Sequence, residues 1–234
     1  MNVRRNPVIN NDECYVAFLD ILGFKNLVKT KECTEIIEIF NEIINIGNII
    51  KSCRAEAIGE NKINKKLTGD FNKLRENLFI YIMSDSIVLA IKSDNTKRLH
   101  FLLYVCGCIQ EYLFDKCKVL LRGGVSSGRF YGNTPVAFGD GFLKAYNLQE
   151  NCAVYPRVII DPGLVSDLKN TCKDYRYELL EEDDYQSVDW ISSIERRSLQ
   201  KVCKKMIDDL KVNEEIKQKY RWILGRSGGT ENIV

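Results

Sequence analysis

Apolar residues first crowd together at residues 14–19, CYVAFL, an unbroken run of strand formers that stops at Asp20. A run without polar alternation is the pattern of a strand covered on both faces. After Ile21-Leu22-Gly23-Phe24 the period changes. Ile36, Phe40, Ile43 and Gly47, with Ile37 and Ile44 beside them, form a stripe at helical spacing, and Thr34 is a candidate N-cap. Residues 54–77 are polar and basic with few large apolar side chains, which predicts an extended connection or insertion. LFIYIM and IVLAI then flank Ser84-Asp85-Ser86, the pattern of two strands around a tight turn.

Residues 97–114 carry Leu99, Leu102, Leu103, Cys106, Ile109 and Leu113 on one helical stripe. KVLLRGGVSSG reads as a strand with adjacent glycines. Residues 131–141, holding Gly132, Pro135, Gly139 and Gly141, read as a loop, and a helix is predicted from Phe142 to about Gln149. VYPRVIID is a further strand ending at Asp161-Pro162-Gly163. The last part differs: an acidic run, Glu181-Glu182-Asp183-Asp184, precedes helical segments near 192–211 and 213–224. Leu199, Val202, Met206 and Leu210 give the first of these a weak stripe. Strands alternating with helices predict an α+β sheet with packed helices. The chain divides at about residue 165 into a core, 1–165, and a C-terminal helical extension, 166–234, packed on or linked to it.

Bulk composition narrows the function classes. The 234 residues are 45% hydrophobic and 28% charged, enough for one sizeable core. Thirty-four basic and 32 acidic residues leave a formal charge of only +2, which argues against a general nucleic-acid binder. The nine cysteines form no CxxC pair and lie in apolar stretches, so they read as small buried hydrophobes in a reducing cytoplasm. No apolar run is long enough for a membrane span and the first residues lack a signal-type apolar core, which predicts a soluble cytoplasmic protein.

The chemistry narrows to carboxylates. The phosphate-binding GxxxxGK[ST] loop, the GxSxG elbow and HExxH are missing, and His100 is the one histidine, set inside an amphipathic helix. Asp20 and Asp85 each end an apolar strand, so neighbouring strands would bring both carboxylates to one sheet edge. Hard oxygen donors suit Mg²⁺ or Mn²⁺. Each aspartate taken alone reads better as a turn cap; the pair, with its flanking sequence, shifts the balance toward metal binding. Arg122, beside Gly123-Gly124, is the leading candidate for balancing phosphate charge, and equally a structural arginine holding a sheet-end carboxylate. Arg129, Lys144 and Arg157 follow it.

AFLDILGFK resembles the first metal motif of class III nucleotidyl cyclases, Phe-x-Asp-Ile-x-Gly-Phe. IMSDSIVLA resembles the hairpin that supplies their second metal aspartate. LLRGGVSSG, FGDGFLKAYNLQE and AVYPRVIID resemble the closing half of that domain, and their Arg-Gly-Gly, Ala-Tyr and Tyr-Pro-Arg variants are nearest the Pycsar antiphage pyrimidine cyclases. The resemblance spans roughly residues 14–165. It implies a ferredoxin-like βαββαβ core and two divalent ions, Mn²⁺ or Mg²⁺, held by Asp20, Asp85 and the Ile21 carbonyl. It also implies a homodimer with sites shared between subunits, and cyclisation of a nucleoside triphosphate to a 3′,5′-cyclic monophosphate read by a separate effector.

The purine-selecting lysine of adenylyl cyclases falls at Tyr81. Their transition-state asparagine and arginine fall near Leu143 and at Asn147. These departures disfavour an ordinary adenylyl cyclase, and the resemblance to the pyrimidine cyclases implies a pyrimidine substrate, UTP before CTP because more of the related enzymes make cyclic UMP. The alternatives are a degenerate cyclase-like domain that binds a nucleotide or partner without turnover, and a purine cyclase.

Overall fold

The computed structural model describes residues 6–58, 65–168, 177–192, 194–209 and 212–228. Its centre is a strand pair, β1 (Ile9–Leu22) against β4 (Leu120–Asn133), antiparallel along almost their whole length. β3 (Ser86–Lys92) lies on the other side of β1, and β2 (Phe79–Met83) forms a hairpin with β3. Between β1 and β2 run α1 (Phe24–Thr30), α2 (Cys33–Ile44), α3 (Gly47–Ile58) and α4 (Lys65–Glu76); α5 (Thr96–Cys117) joins β3 to β4. The order β2-β3-β1-β4, all antiparallel with helical crossovers, is the ferredoxin-like βαββαβ arrangement. The fold is α+β.

The lack of alternation in CYVAFL has a direct cause. Ala17, Leu19 and Ile21 face the helical layer, packing with Leu99, Leu102, Leu103 and Ile109 of α5. Val16 and Phe18 face the other way, toward α6 (Asp140–Cys152), where Ala145 is buried and Phe142 and Tyr146 set their rings edge-on to Phe18. All six stripe residues expected for the 97–114 helix are buried.

Several expectations need correction. Residues 54–77 are largely helical where described: α3 runs to Ile58 and α4 from Lys65, with residues 59–64 outside the described set. Phe71 anchors α4 by packing against Phe101 and Tyr104. Thr34 is not the cap of α2. Glu32 occupies that position in a reciprocal pair with Glu35, because its carboxylate reaches the free amide of the first turn. Ile37, assigned to the stripe, is 52% exposed. The 131–141 loop is mostly strand: β4 continues to Asn133 and folds back as β5 (Val136–Phe138), stacking Tyr131 on Phe138. Of the eight described cysteines Cys14, Cys106, Cys108 and Cys203 are buried; Cys33 is exposed.

The C-terminal segment is not wholly helical. β6 (Val158–Ile160) pairs parallel with β4, and a hairpin, β7 (Glu178–Glu182) and β8 (Tyr185–Asp189), extends the same sheet in the order β4-β6-β8-β7. The acidic run supplies its turn, with Asp183 and Asp184 both at positive φ (53° and 66°), the two-residue geometry that matches strand twist. α7 (Arg196–Asp208) and α8 (Glu214–Arg226) follow, burying Leu199, Cys203, Ile207, Tyr220, Ile223 and Leu224 against Phe114, Leu120 and Trp190. Leu210, placed on the α7 stripe, lies outside the described residues. No helix among the described residues is long and apolar enough to cross a membrane.

Candidate functional site

Asp20 lies two residues before the end of β1, its Cα paired with Ser86 on one side and Arg122 on the other. The chain then turns through Gly23, held at φ 80°, a left-handed conformation that favours glycine, and enters α1. Asp85 sits in the β2–β3 turn after Ser84, which is also at positive φ (58°). The Ile21 amide donates to the Asp85 carbonyl at 2.9 Å, tying the turn to the end of β1. Asp20, Ile21, Asp85 and Arg122 thus line one cleft of about 680 Å³.

Arg122 is committed to Asp20: its Nε donates to Asp20 Oδ2 at 2.9 Å, and both side chains are about four-fifths buried, at 23% and 19% exposure. Its Nη1 donates to the Ala153 carbonyl at 3.4 Å and Nη2 lies 4.0 Å from Glu150. With its amide oxygen turned inward, Gln149 accepts from the same guanidinium at 3.0 and 3.1 Å. Burial pushes the Asp20 carboxyl above its ordinary range; Arg122 opposes this, and the Asp85 charge adds to the push. The two carboxylates, near enough for each charge to act on the other, are hard oxygen donors of the kind that suits Mg²⁺ or Mn²⁺. Among the described residues no cluster of three acidic, histidine or cysteine side chains forms, so ligand oxygens would have to complete the coordination.

The other expected site residues are scattered. Tyr81 shares its β2 face with Phe79 and lies over it, ring centroids 6.5 Å apart; its strand position is in register with Val88 and, through β3, with Phe18. That places it on the α6 side of the sheet, level with Phe18 but two strands away from it and outside the cleft that holds Asp20. Arg129 lies seven residues along β4 from Arg122, outside the cleft, and is 3.8 Å from Glu13 with both side chains exposed. Lys144 and Asn147 sit on the outward face of α6; Lys144 reaches Asp140 at 3.5 Å and the Ser127 carbonyl at 3.4 Å. Arg157 is 3% exposed and grips the β7–β8 turn, with Asp183 at 2.8 Å and Glu182 at 3.3 Å, a structural anchor. His100 is buried, its Nδ1 2.5 Å from the Tyr177 hydroxyl.

The sequence reading left out a whole wall of the cleft. Met206 of α7, Val212, and Asn213, Glu215, Ile216 and Tyr220 at and in α8 line it opposite Lys25 and Lys29 of α1. No motif marks these residues; they reach the cleft because α8 packs against the α5–β4 junction.

No family model matches the chain, and no curated protein does. Solved structures do. The guanylyl cyclase Cya2 aligns at 8% identity over 79% of this chain and 93% of that one, with a TM-score of 0.40. A bacterial light-regulated adenylyl cyclase aligns at 12% identity over 78% and 89%, TM-score 0.42. A class III adenylyl cyclase-like ATP-binding protein from Pseudomonas aeruginosa aligns at 11% identity over 91% and 40%, TM-score 0.33.

Proposed function

We propose that the chain is a nucleotidyl cyclase that converts a pyrimidine nucleoside triphosphate, UTP before CTP, to its 3′,5′-cyclic monophosphate and pyrophosphate. The observation that carries this reading is the convergence of Asp20, Asp85 and Arg122 in one cleft at the ends of β1, the β2–β3 turn and β4. The reaction moves the ribose 3′-oxygen onto the α-phosphorus as its proton leaves, and breaks the bond from that phosphorus to the α–β bridging oxygen. Asp20, Asp85 and the Ile21 carbonyl would hold divalent ions, which would supply acidification of the 3′-hydroxyl and neutralisation of phosphate charge.

The chain's own groups do the rest. Arg122, which holds Asp20 through its Nε, is the positive group beside the carboxylates and would take a phosphate oxygen of the bound nucleotide. Tyr81, on the α6 side of the sheet, is where a flat, neutral side chain with one hydroxyl would restrict the base to a single ring. The α6 face with Leu143 and Tyr146 exposed, together with exposed Met83, Val136 and Phe138, supports a homodimer in which α6 of one subunit completes the partner's site with Lys144 and Asn147. By the same motif resemblance the product is a signal in antiphage defence, read by a separate effector in the cytoplasm.

Purified protein incubated with each of the four nucleoside triphosphates and Mn²⁺, with products identified by mass, tests the reading. A cyclic pyrimidine monophosphate, lost in Asp20→Asn and in Asp85→Asn, is the expected result. A purine product corrects the base assignment. A second reading, a domain that binds nucleotide without turnover, draws on the Asp20–Arg122 pair, which already neutralises the first carboxylate. Its signature is saturable nucleotide binding with no product from any of the four.

A further inference from the structure

β4 presents Arg122, Gly124, Ser126 and Gly128 on one face, at every second residue, and α6 lies along that row. At the far end Ser126 Oγ donates to the Gly141 carbonyl at 2.7 Å, and a Cβ on Gly128 would stand 2.8 Å from the Gly141 amide nitrogen. In the middle, Gly124 leaves room for the backbone of Ala145 and Gln149. At the near end the row finishes in Arg122, and the last turn of α6 closes on its guanidinium. Contacts this close between backbones fix the helix on the strand, so the last turn of α6 delivers its side chains to a set place.

Gln149 is the side chain delivered there. It is 2% exposed, and its amide oxygen accepts from Arg122 Nε at 3.0 Å and from Nη2 at 3.1 Å, one atom closing a whole edge of the guanidinium. The oxygen has to face inward, because a guanidinium offers only donors. Nε is shared with Asp20 Oδ2 at 2.9 Å, and Nη1 donates at 3.4 Å to the carbonyl of Ala153, the C-cap of α6, where the helix dipole favours a cation. Of the five guanidinium N–H groups these bonds engage three, the one on Nε and one on each Nη. One N–H on each Nη is left, with the exposed Glu150 carboxylate 4.0 Å from Nη2. A second carboxylate at position 149 would neutralise Arg122 again. A neutral amide fixes its direction and leaves its charge for an anion.

We propose that Gln149 is a positioning residue: it clamps the Nε–Nη2 edge of Arg122 beside Asp20, so that the N–H groups left on Nη1 and Nη2 are held for a phosphate oxygen of the ligand in the cleft. The inference rests on reading the cleft as a nucleotide site. It gives α6 two duties on opposite faces. The outer face carries exposed Leu143 and Tyr146, and the inner face of the last turn orients the arginine that lines the cleft.

Nitrogen-15 spectra of the full chain read the clamp: the Arg122 guanidinium signals, assigned by their loss in Arg122→Lys, report how fast its protons exchange with water. Gln149→Met keeps the length and drops the acceptor, and should speed that exchange by about tenfold, the worth of one hydrogen bond to a charged group. Gln149→Glu keeps an oxygen acceptor and should exchange no faster than the parent. Calorimetric titration with inorganic pyrophosphate in excess MgCl₂ reads the consequence. Both variants should bind it about tenfold more weakly, Gln149→Met through a misdirected guanidinium and Gln149→Glu through a neutralised one. Exchange equally fast in the two variants overturns the inference, as does pyrophosphate affinity unchanged in Gln149→Met or absent in the parent. A lowered melting point with parental exchange and affinity does the same, and identifies the glutamine as structural. If Gln149→Met does not fold, Gln149→Glu decides alone: slow exchange with weakened pyrophosphate upholds the clamp, and parental affinity overturns it. Gln149-dependent pyrophosphate binding in a protein that cyclises none of the four nucleotides sinks the cyclase reading and leaves this one standing. Turnover of a nucleotide with Gln149-independent pyrophosphate binding does the reverse.

Discussion

Gly124→Ala is the substitution whose cost the structure sets most directly. Gly124 lies on β4 where α6 crosses it, and a Cβ there would stand 2.4 Å from the Ala145 carbonyl oxygen, 2.9 Å from Leu148 Cβ and 3.0 Å from the Gln149 amide nitrogen. Carbon and carbonyl oxygen rest about 3.3 Å apart at closest, so strand and helix must part by roughly 0.9 Å. Two of the three atoms are backbone, so no rotamer change relieves the clash. Overpacking costs about 1–3 kcal/mol, and this site belongs at the upper end. For a chain of this size about 3 kcal/mol lowers Tm by roughly 6–12 °C. Gly225→Ala is the internal control: it lies in α8 with nothing within 4 Å of its added Cβ, and should gain up to about 1 kcal/mol. Urea denaturation followed by circular dichroism reads both, as shifts in midpoint at unchanged slope. A Gly124→Ala midpoint equal to the parent's, or a Gly225→Ala loss of the same size, refutes the close-packing argument.

Arg157→Met should lower stability by about 1–3 kcal/mol, less than a fully stranded ion pair because Glu182 and Asp183 remain partly solvated, and thermal melts will show it. Tyr81→Ala should erode discrimination between pyrimidine and purine triphosphates by about 1–3 kcal/mol in relative kcat/KM; a variant as selective as the parent makes Tyr81 a packing residue. Mixing inactive Asp20→Asn with a variant disabled in α6 at Lys144 and Asn147 should restore part of the activity through hybrid dimers. No rescue after demonstrated subunit exchange argues for self-contained sites.

The elements that could be read from the chain are those whose burial is one-signed along their length. CYVAFL and IVLAI are apolar throughout because sheet and helices cover both faces, and the α5 stripe is a single unbroken row. α4 escaped because its sequence is mostly polar, and among its described side chains Phe71, with Leu74 beside it, carries the packing. The β7–β8 hairpin escaped because its turn is made by two aspartates inside an acidic run, and its strands bury little. The same contrast runs through the candidate site. Asp20 and Asp85 each terminate an apolar run, so their meeting at one end of the sheet was legible. Glu215, Ile216 and Tyr220 come to that end only through tertiary packing of α8, and nothing in their local sequence distinguishes them from any amphipathic helix. That Arg122 would hold Asp20 rather than Asp85 depended on the β1–β4 register, which no local pattern specifies.

β1 precedes every other strand in the chain, yet it is an interior strand of the sheet, with β3 on one flank and β4 on the other. During synthesis its apolar residues therefore emerge long before either neighbour exists. At about 5–20 residues per second, the roughly 70 residues between the end of β1 and the end of β3, the first neighbour to be made, take the ribosome about 4–14 s. Over that interval CYVAFL is an unpaired, uncharged strand with both edges open, the kind of segment that recruits other chains.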